Sequence, residues 1–188
     1  LYDDLPPDRR AALHLRIGRA LAAEGGGARP AAAIAHHLCS AAPAGDLAVA
    51  VDYAERAGRE MLAQLAYEEA ANVFQSALRA LDLGECADPP ALRRRVELSL
   101  ALGDARWRHG DMPRAALAFE QAIEWARRAG LDEALARAAH GLGRVKIERA
   151  TVDPALVAVL EEALQRCPAD QPGLRVRLLA RLATALQY

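Results

Sequence analysis

Histidines are the first residues in this chain that could do chemistry, since imidazoles bind metals and move protons near neutral pH. His36 and His37 are adjacent in AAAIAHHLCSAA, whereas His14, His109 and His140 stand alone. Neighbouring side chains on a helix point about 100° apart, so one metal ion cannot easily take both rings. No third ligand follows one turn later. The pattern favours one packed ring and one surface ring, a structural or solvated role for the other three histidines, and no metal site.

Adjacent carboxylates could act as a general acid and base. Three such pairs are present: Asp3-Asp4, Glu68-Glu69 and Glu161-Glu162. We expect each pair at or near the start of a helix, where negative charge stabilises the helix dipole without any catalytic role. Gly25-Gly26-Gly27 is followed by no lysine, so it is not a phosphate-binding loop. We predict that the chain is not an enzyme and needs no cofactor.

Clustered arginines could contact phosphates. They are Arg93-Arg94-Arg95, Arg127-Arg128, and Arg175, Arg177 and Arg181. Acidic residues are mixed among them, and the net charge is only −1. A nucleic-acid-binding domain usually presents a basic face. We therefore predict solvated helix faces and no direct contact with nucleic acid.

The composition predicts an all-α protein. Hydrophobic residues make up 53% of the chain but aromatic residues only 4%, so alanine and leucine, both strong helix formers, dominate. Apolar runs stay short of the ~20 residues that a membrane span needs. Cys39, Cys86 and Cys167 are odd in number and widely spaced, which fits a reducing compartment. We expect a cytoplasmic protein with no membrane contact.

Capping residues and helix breakers divide the chain into about nine or ten helices. Residues 1–45 are predicted to form an N-terminal helical pair. Four helical repeats are predicted to follow, at 46–83, 90–129, 132–168 and, truncated, 172–188. Within them we predict helices at roughly 47–64, 67–82, 90–109, 113–128 and 133–149. Asp46 and Asp153 are the predicted N-caps of two helices, one beginning near 47 and one ending near Pro168.

Small residues recur within these helices at a fixed period. Gly58, Gly103 and Gly143 lie mid-helix, 45 and then 40 residues apart. A mid-helix glycine costs about 1 kcal/mol relative to alanine, so it needs a packing reason. We predict that these glycines and the small and aromatic residues of the second helices pack the repeats together: Gly58, Ala70, Phe74, Ala77, Gly103, Ala115, Phe119, Ala122, Gly143 and Ala163. One helix pair per period indicates an α-solenoid of antiparallel pairs.

The stretch LGDARWRHGDMPRAALAFEQAI resembles a tetratricopeptide repeat in its Leu-Gly, Gly-Asp, Ala, aromatic and Ala positions. The stretches LYDDLPPDRRAALHLRIGRAL and AVDYAERAGREMLAQLAYEEAANVFQSAL are similar to the repeat region of large bacterial LuxR-type regulators and related signalling ATPases. This resemblance implies an upstream ATPase and winged-helix module and a downstream output domain, either DNA-binding, cyclase or kinase. Neither end of the sequence looks like a natural terminus, so we expect this chain to be a piece of such a protein.

In a solenoid of this type the first helix of each pair lines a concave groove. Side chains one turn apart share that face. We predict a partner-binding or effector-binding site there, formed by Asp52, Arg59, Asp104, Trp107, Arg108, His140 and Arg144. An aromatic residue beside arginines is typical of interface hot spots, but Trp107 could equally be buried between repeats.

Several partners are compatible with such a groove. They are a protein, a peptide, a small effector, or the ATPase module of the same protein, with self-association as a further form of contact. The alternative is a structural spacer or dimerisation arm whose groove holds no ligand. Replacing Trp107 by Ala together with Arg144 by Glu is expected to weaken partner binding while the chain stays helical.

Overall fold

The computed structural model describes residues 5–23, 31–42, 44–84, 88–146 and 152–187, and every regular element in these ranges is an α-helix. The helices are α1 (Pro7–Ala23), α2 (Ala31–Ser40), α3 (Leu47–Ala63), α4 (Tyr67–Leu83), α5 (Pro89–His109), α6 (Met112–Ala129), α7 (Asp132–Lys146), α8 (Pro154–Arg166) and α9 (Pro172–Ala185). These nine helices in the described ranges confirm the predicted all-α class and the expected number of helices.

The chain divides into two compact units, Leu1–Cys86 and Ala87–Tyr188. In the first unit each helix packs on the next, and α2 also contacts α4. In the second unit each helix again packs on its neighbour, while α5 contacts α7 and α7 contacts α9. This is the arrangement of stacked antiparallel pairs. The predicted segments 1–45 and 46–83 fall within the same unit, because α2 packs against both α3 and α4.

Aspartates set where several helices begin. The side chain of Asp46 accepts a hydrogen bond from the Val49 amide at 3.2 Å, and that of Asp153 accepts from the Ala155 and Leu156 amides. Both predicted N-caps are thus confirmed, and Asp88 and Asp111 cap α5 and α6 in the same way. Gly110 and Gly130 end α5 and α6 in the left-handed conformation, with φ of 91° and 64°, which favours glycine.

Helix ends differ from the predictions by a few residues. α7 is described to Lys146, and the rest of the predicted helix at 133–149 lies outside the described residues, as do Asp3-Asp4, Gly25-Gly26-Gly27 and Cys86. α8 ends at Arg166, before Pro168. No helix in the described ranges is both long enough and apolar enough to cross a bilayer.

Glycines and phenylalanines meet where first and second helices pack. A Cβ added to Gly58 would lie within 3.0 Å of the Phe74 ring, and one on Gly103 would lie 2.7 Å from Phe119. The same Phe119 ring also lies against Gly141 of α7, so it fills the space between two successive pairs. The five alanines predicted to pack the repeats are fully buried: Ala70, Ala77, Ala115, Ala122 and Ala163.

The third predicted glycine, Gly143, packs against a different kind of neighbour. Gly143 is buried, but a Cβ added there would meet the Arg181 side chain of α9 at 3.4 Å, an ordinary contact. Gly141, two residues earlier on α7, is the glycine that contacts a second-helix aromatic. The segment Gly141-Leu142-Gly143 therefore packs on two sides, through Gly141 against α6 and through Gly143 against α9.

Candidate functional site

The first helices of the second unit, α5, α7 and α9, lie side by side. We call their shared surface the first-helix face and define it by six residues: Asp104 and Trp107 on α5, His140 and Arg144 on α7, and Arg177 and Arg181 on α9. The structure thus brings together four of the residues that the sequence predicted for the groove, through the contacts described next.

The Arg144 side chain already has binding partners within the chain. Its guanidinium carbon lies 4.1 Å from the centre of the Trp107 ring and 5.9 Å from that of Phe119. It also forms a short ion pair with Asp104 on α5. Trp107 is partly buried under this guanidinium. Arg144 and Trp107 therefore bind each other, and the substitution of both residues would disturb the α5–α7 contact as well as any partner site.

A second ion pair joins the same two helices. Arg137 on α7 donates to the Glu97 carboxylate on α5 at 3.0 Å, through side chains that are partly exposed. Exposed pairs of this kind contribute about 0.2–1 kcal/mol. The charges that link α5 to α7 are therefore compensated by each other.

The α9 side of the face is different, because its arginines form no ion pair with the acidic residues that the structure describes. Burial, together with the nearby Arg144, Arg181 and Arg177, lowers the pKa of His140 to about 4 against the opposing effect of Asp104. His140 is therefore neutral near pH 7. Within the described residues, neither Arg177 nor Arg181 has an ion pair or hydrogen bond through its side chain. This part of the face carries uncompensated positive charge.

The remaining predicted groove residues lie elsewhere. Arg108 is exposed near the end of α5 and has contacts of its own. Asp52 and Arg59 are exposed on α3, in the first unit, where Arg59 pairs with Glu55 at 2.7 Å. Arg177 and Arg181 were not assigned to the groove from the sequence. Their spacing of one helical turn matches that of His140 and Arg144, and this was the available signal.

His14 stands alone in the sequence, but in the fold it is buried and packs against His36 and His37. In the first unit its Nδ1 lies 2.9 Å from Nδ1 of His37, and its ring centre is 5.6 Å from that of His36. Burial, together with the neighbouring imidazoles, lowers the pKa of His14 and of His37. His37 is partly buried and His36 is exposed. Within the described ranges, no group of His, Cys, Asp or Glu side chains has a geometry that could hold a metal ion.

One of the carboxylate pairs also lies where it was not expected. Glu161 and Glu162 are in the second half of α8, not near its start. Glu162 accepts hydrogen bonds from Arg127 on α6 at 2.6 Å and from Arg166 at 3.1 Å, and the first of these lowers its pKa. Glu162 therefore links two second helices. Glu68 and Glu69 do lie in the first turn of α4.

The described cysteines offer no reactive thiol. Cys39 and Cys167 are both free and buried, and burial raises the pKa of Cys39 to about 11. At that pKa the Cys39 sulfur is a thiol at neutral pH and a poor nucleophile.

Comparisons with known proteins suggest no function for these residues. No family model matches the chain, and no curated protein matches it in sequence.

Proposed function

We propose that this chain is a non-catalytic interaction segment of a larger cytoplasmic regulator, and that its first-helix face binds an acidic segment of a protein. The resemblance to tetratricopeptide repeats and to LuxR-type and signalling-ATPase regulators supports the class of protein. The acidic segment comes from a partner or from another module of the same protein, such as its ATPase. Binding would shift a conformational equilibrium by at most its difference in affinity for the two states.

One observation supports an acidic partner most directly. Arg177 and Arg181 carry no acidic partner among the described residues, while the neighbouring Arg137 and Arg144 are each paired. His140 between them is neutral and so adds no competing charge. Guanidinium groups form strong, bidentate hydrogen bonds with carboxylates. A segment rich in Asp and Glu would therefore supply the missing charge.

The proposal can be tested with labelled peptides. Fluorescence anisotropy of a fluorescein-labelled decaglutamate peptide should rise on titration with the chain at low ionic strength, and a decalysine peptide should give no rise. Arg177→Gln with Arg181→Gln should weaken decaglutamate binding at least tenfold, since two charge-assisted hydrogen-bonding groups are lost.

The matched control is Arg114→Gln with Arg175→Gln, which removes the same charge from exposed positions on α6 and α9. It should bind decaglutamate like the wild type, and circular dichroism should show both variants equally helical. If decaglutamate does not bind, or if both double variants lose it equally, the face is not an acidic-segment site. The spacer or dimerisation arm would then be the better proposal.

A further inference from the structure

A cleft of about 510 Å³ lies at one end of the α5–α6 hairpin, where α5 begins and α6 ends. Its lining includes three cations and several apolar side chains, namely Arg93, Arg94, Arg128, Pro90, Leu92 and Leu131. Two of the arginine clusters seen in the sequence thus converge on one cavity. Its volume is within the range of small-molecule sites, about 300–1,000 Å³.

The wall of the cleft is held by stacked side chains. The Arg95 guanidinium carbon lies 5.0 Å from the centre of the Trp125 ring, and that of Arg128 lies 5.1 Å from it. Arg95 is buried, so the ring is fixed against α5 as well as on its own helix, α6. Asp88 also caps the first turn of α5, accepting from the Ala91 amide at 2.9 Å. One cation of the cleft, Arg128, therefore lies against an aromatic ring that is itself packed on α5.

The charged residues that line the cleft in the described part of the chain are all arginines. No carboxylate is among its lining residues within the described part of the chain. Arg128 does pair with Glu124 at 3.1 Å, but both side chains are more than half exposed and water screens this pair. By contrast, the cluster of Arg127, Arg166, Glu162 and Asp132 alternates charges. Arg94 has contacts of its own within the chain, so an anion in the cleft would be attracted chiefly by Arg93 and Arg128.

We propose that this cleft binds a small organic anion, a carboxylate or phosphate carried on an apolar body. The arginines would hold the anionic group, and Leu92, Leu131 and the prolines would cover the body. The inference does not rest on the proposed function, because the cleft shares no residue with the first-helix face.

The test uses the full chain labelled with ¹⁵N and follows its amide resonances during titration with octanoate. Octanoate should shift amides of residues 91–94 and 128–131. Acetate, which has the charge without the body, and octan-1-ol, which has the body without the charge, should each bind at least tenfold more weakly. Arg93→Gln with Arg128→Gln should weaken octanoate binding at least tenfold.

The charge-matched control is Arg56→Gln with Arg114→Gln, whose side chains are about 70% exposed and lie outside the cleft. It should bind octanoate like the wild type. The proposal is overturned if octanoate shifts no cleft amide, if octan-1-ol binds equally well, or if the control double variant weakens binding as much as the cleft variant. Unchanged binding of decaglutamate in the cleft variant would separate this result from that of the first-helix face.

Discussion

At the scale of single residues, Gly141 shows why this chain uses glycine inside helices. Its position on α7 lies directly against the ring of Phe119, which is 1% exposed and also contacts the position of Gly103 on α5. A methyl group at Gly141 would overlap a ring with little room to move. The cost in helix propensity is thus offset by an aromatic side chain that bridges two helix pairs.

Gly141→Ala should therefore destabilise the protein, although alanine is the better helix former. Overpacking costs about 1–3 kcal/mol, against a gain of about 1 kcal/mol in helix propensity. Gly143→Ala, two residues away on the same helix, meets only an ordinary contact and should raise the free energy of unfolding by up to about 1 kcal/mol. Urea denaturation of both variants measures the difference. Equal stability of the two variants would contradict this packing.

The sequence predicted Gly143 as the packing glycine of α7 but gave no role to Gly141. Leu142-Gly143 repeats the Leu-Gly of Leu102-Gly103, whereas Gly141 has no counterpart in that pattern. The two positions lie about 200° apart around α7, so the rotation of α7 about its own axis determines which neighbouring helix each glycine contacts. That rotation depends on side-chain packing between helices and cannot be derived from the sequence of one helix alone.

At the scale of elements, helix starts were predictable and contacts across elements were not. Asp46 and Asp153 cap their helices through amides two or three residues away, so the signal is local. The meeting of His14 with His37 spans 23 residues and depends on how α1 packs against α2. The engagement of Arg144 by Trp107 and Asp104 likewise follows from the approach of α5 to α7. Residue types could name these side chains as candidates, but not their partners.

The packing of α9 on α7 should depend on pH through His140. Its pKa is about 4 in the folded protein, below the ordinary value of 6.5, because of burial and of Arg144, Arg181 and Arg177, with Asp104 opposing. Above pH 6.5 the imidazole is neutral in both the folded and the unfolded chain, so its full contribution to stability is present there. As the pH falls from 6.5 to 4, only the unfolded chain gains a proton, and stability is lost.

His140→Gln should remove this acid sensitivity. Since the group is only half buried, solvent screening reduces the expected effect to about 1–2 kcal/mol between pH 6.5 and 4. Urea denaturation at several pH values should show the wild type losing stability faster than the variant in this window. Arg181→Gln should give an intermediate slope, because one of the cations that lower the pKa is absent. Parallel curves for wild type and His140→Gln would refute this role.

At the scale of the whole molecule, the chain divides into two compact units. The buried cluster around Phe119 extends from Val96 to Ala185 and lies entirely in the second unit. Phe74 is the corresponding buried aromatic of the first unit and is 2% exposed. The period of the sequence predicted repeats along the chain, but it gave no sign of where their contacts divide. That division depends on which helices pack together, and the repeat period carries no information about this packing.

The division into two units leads to a prediction that uses the intact chain. Phe119→Leu should lower the free energy of unfolding of the second unit by about 1–3 kcal/mol and leave that of the first unit unchanged, and Phe74→Leu should do the reverse. Both rings are buried and both lie against a glycine, so the two substitutions are matched. Amide hydrogen exchange read by mass spectrometry resolves the units, with exchange about tenfold faster for each 1.4 kcal/mol lost. Faster exchange throughout α1–α9 after either substitution would mean that the nine helices unfold together, because a shared core transmits the loss from one unit to the other.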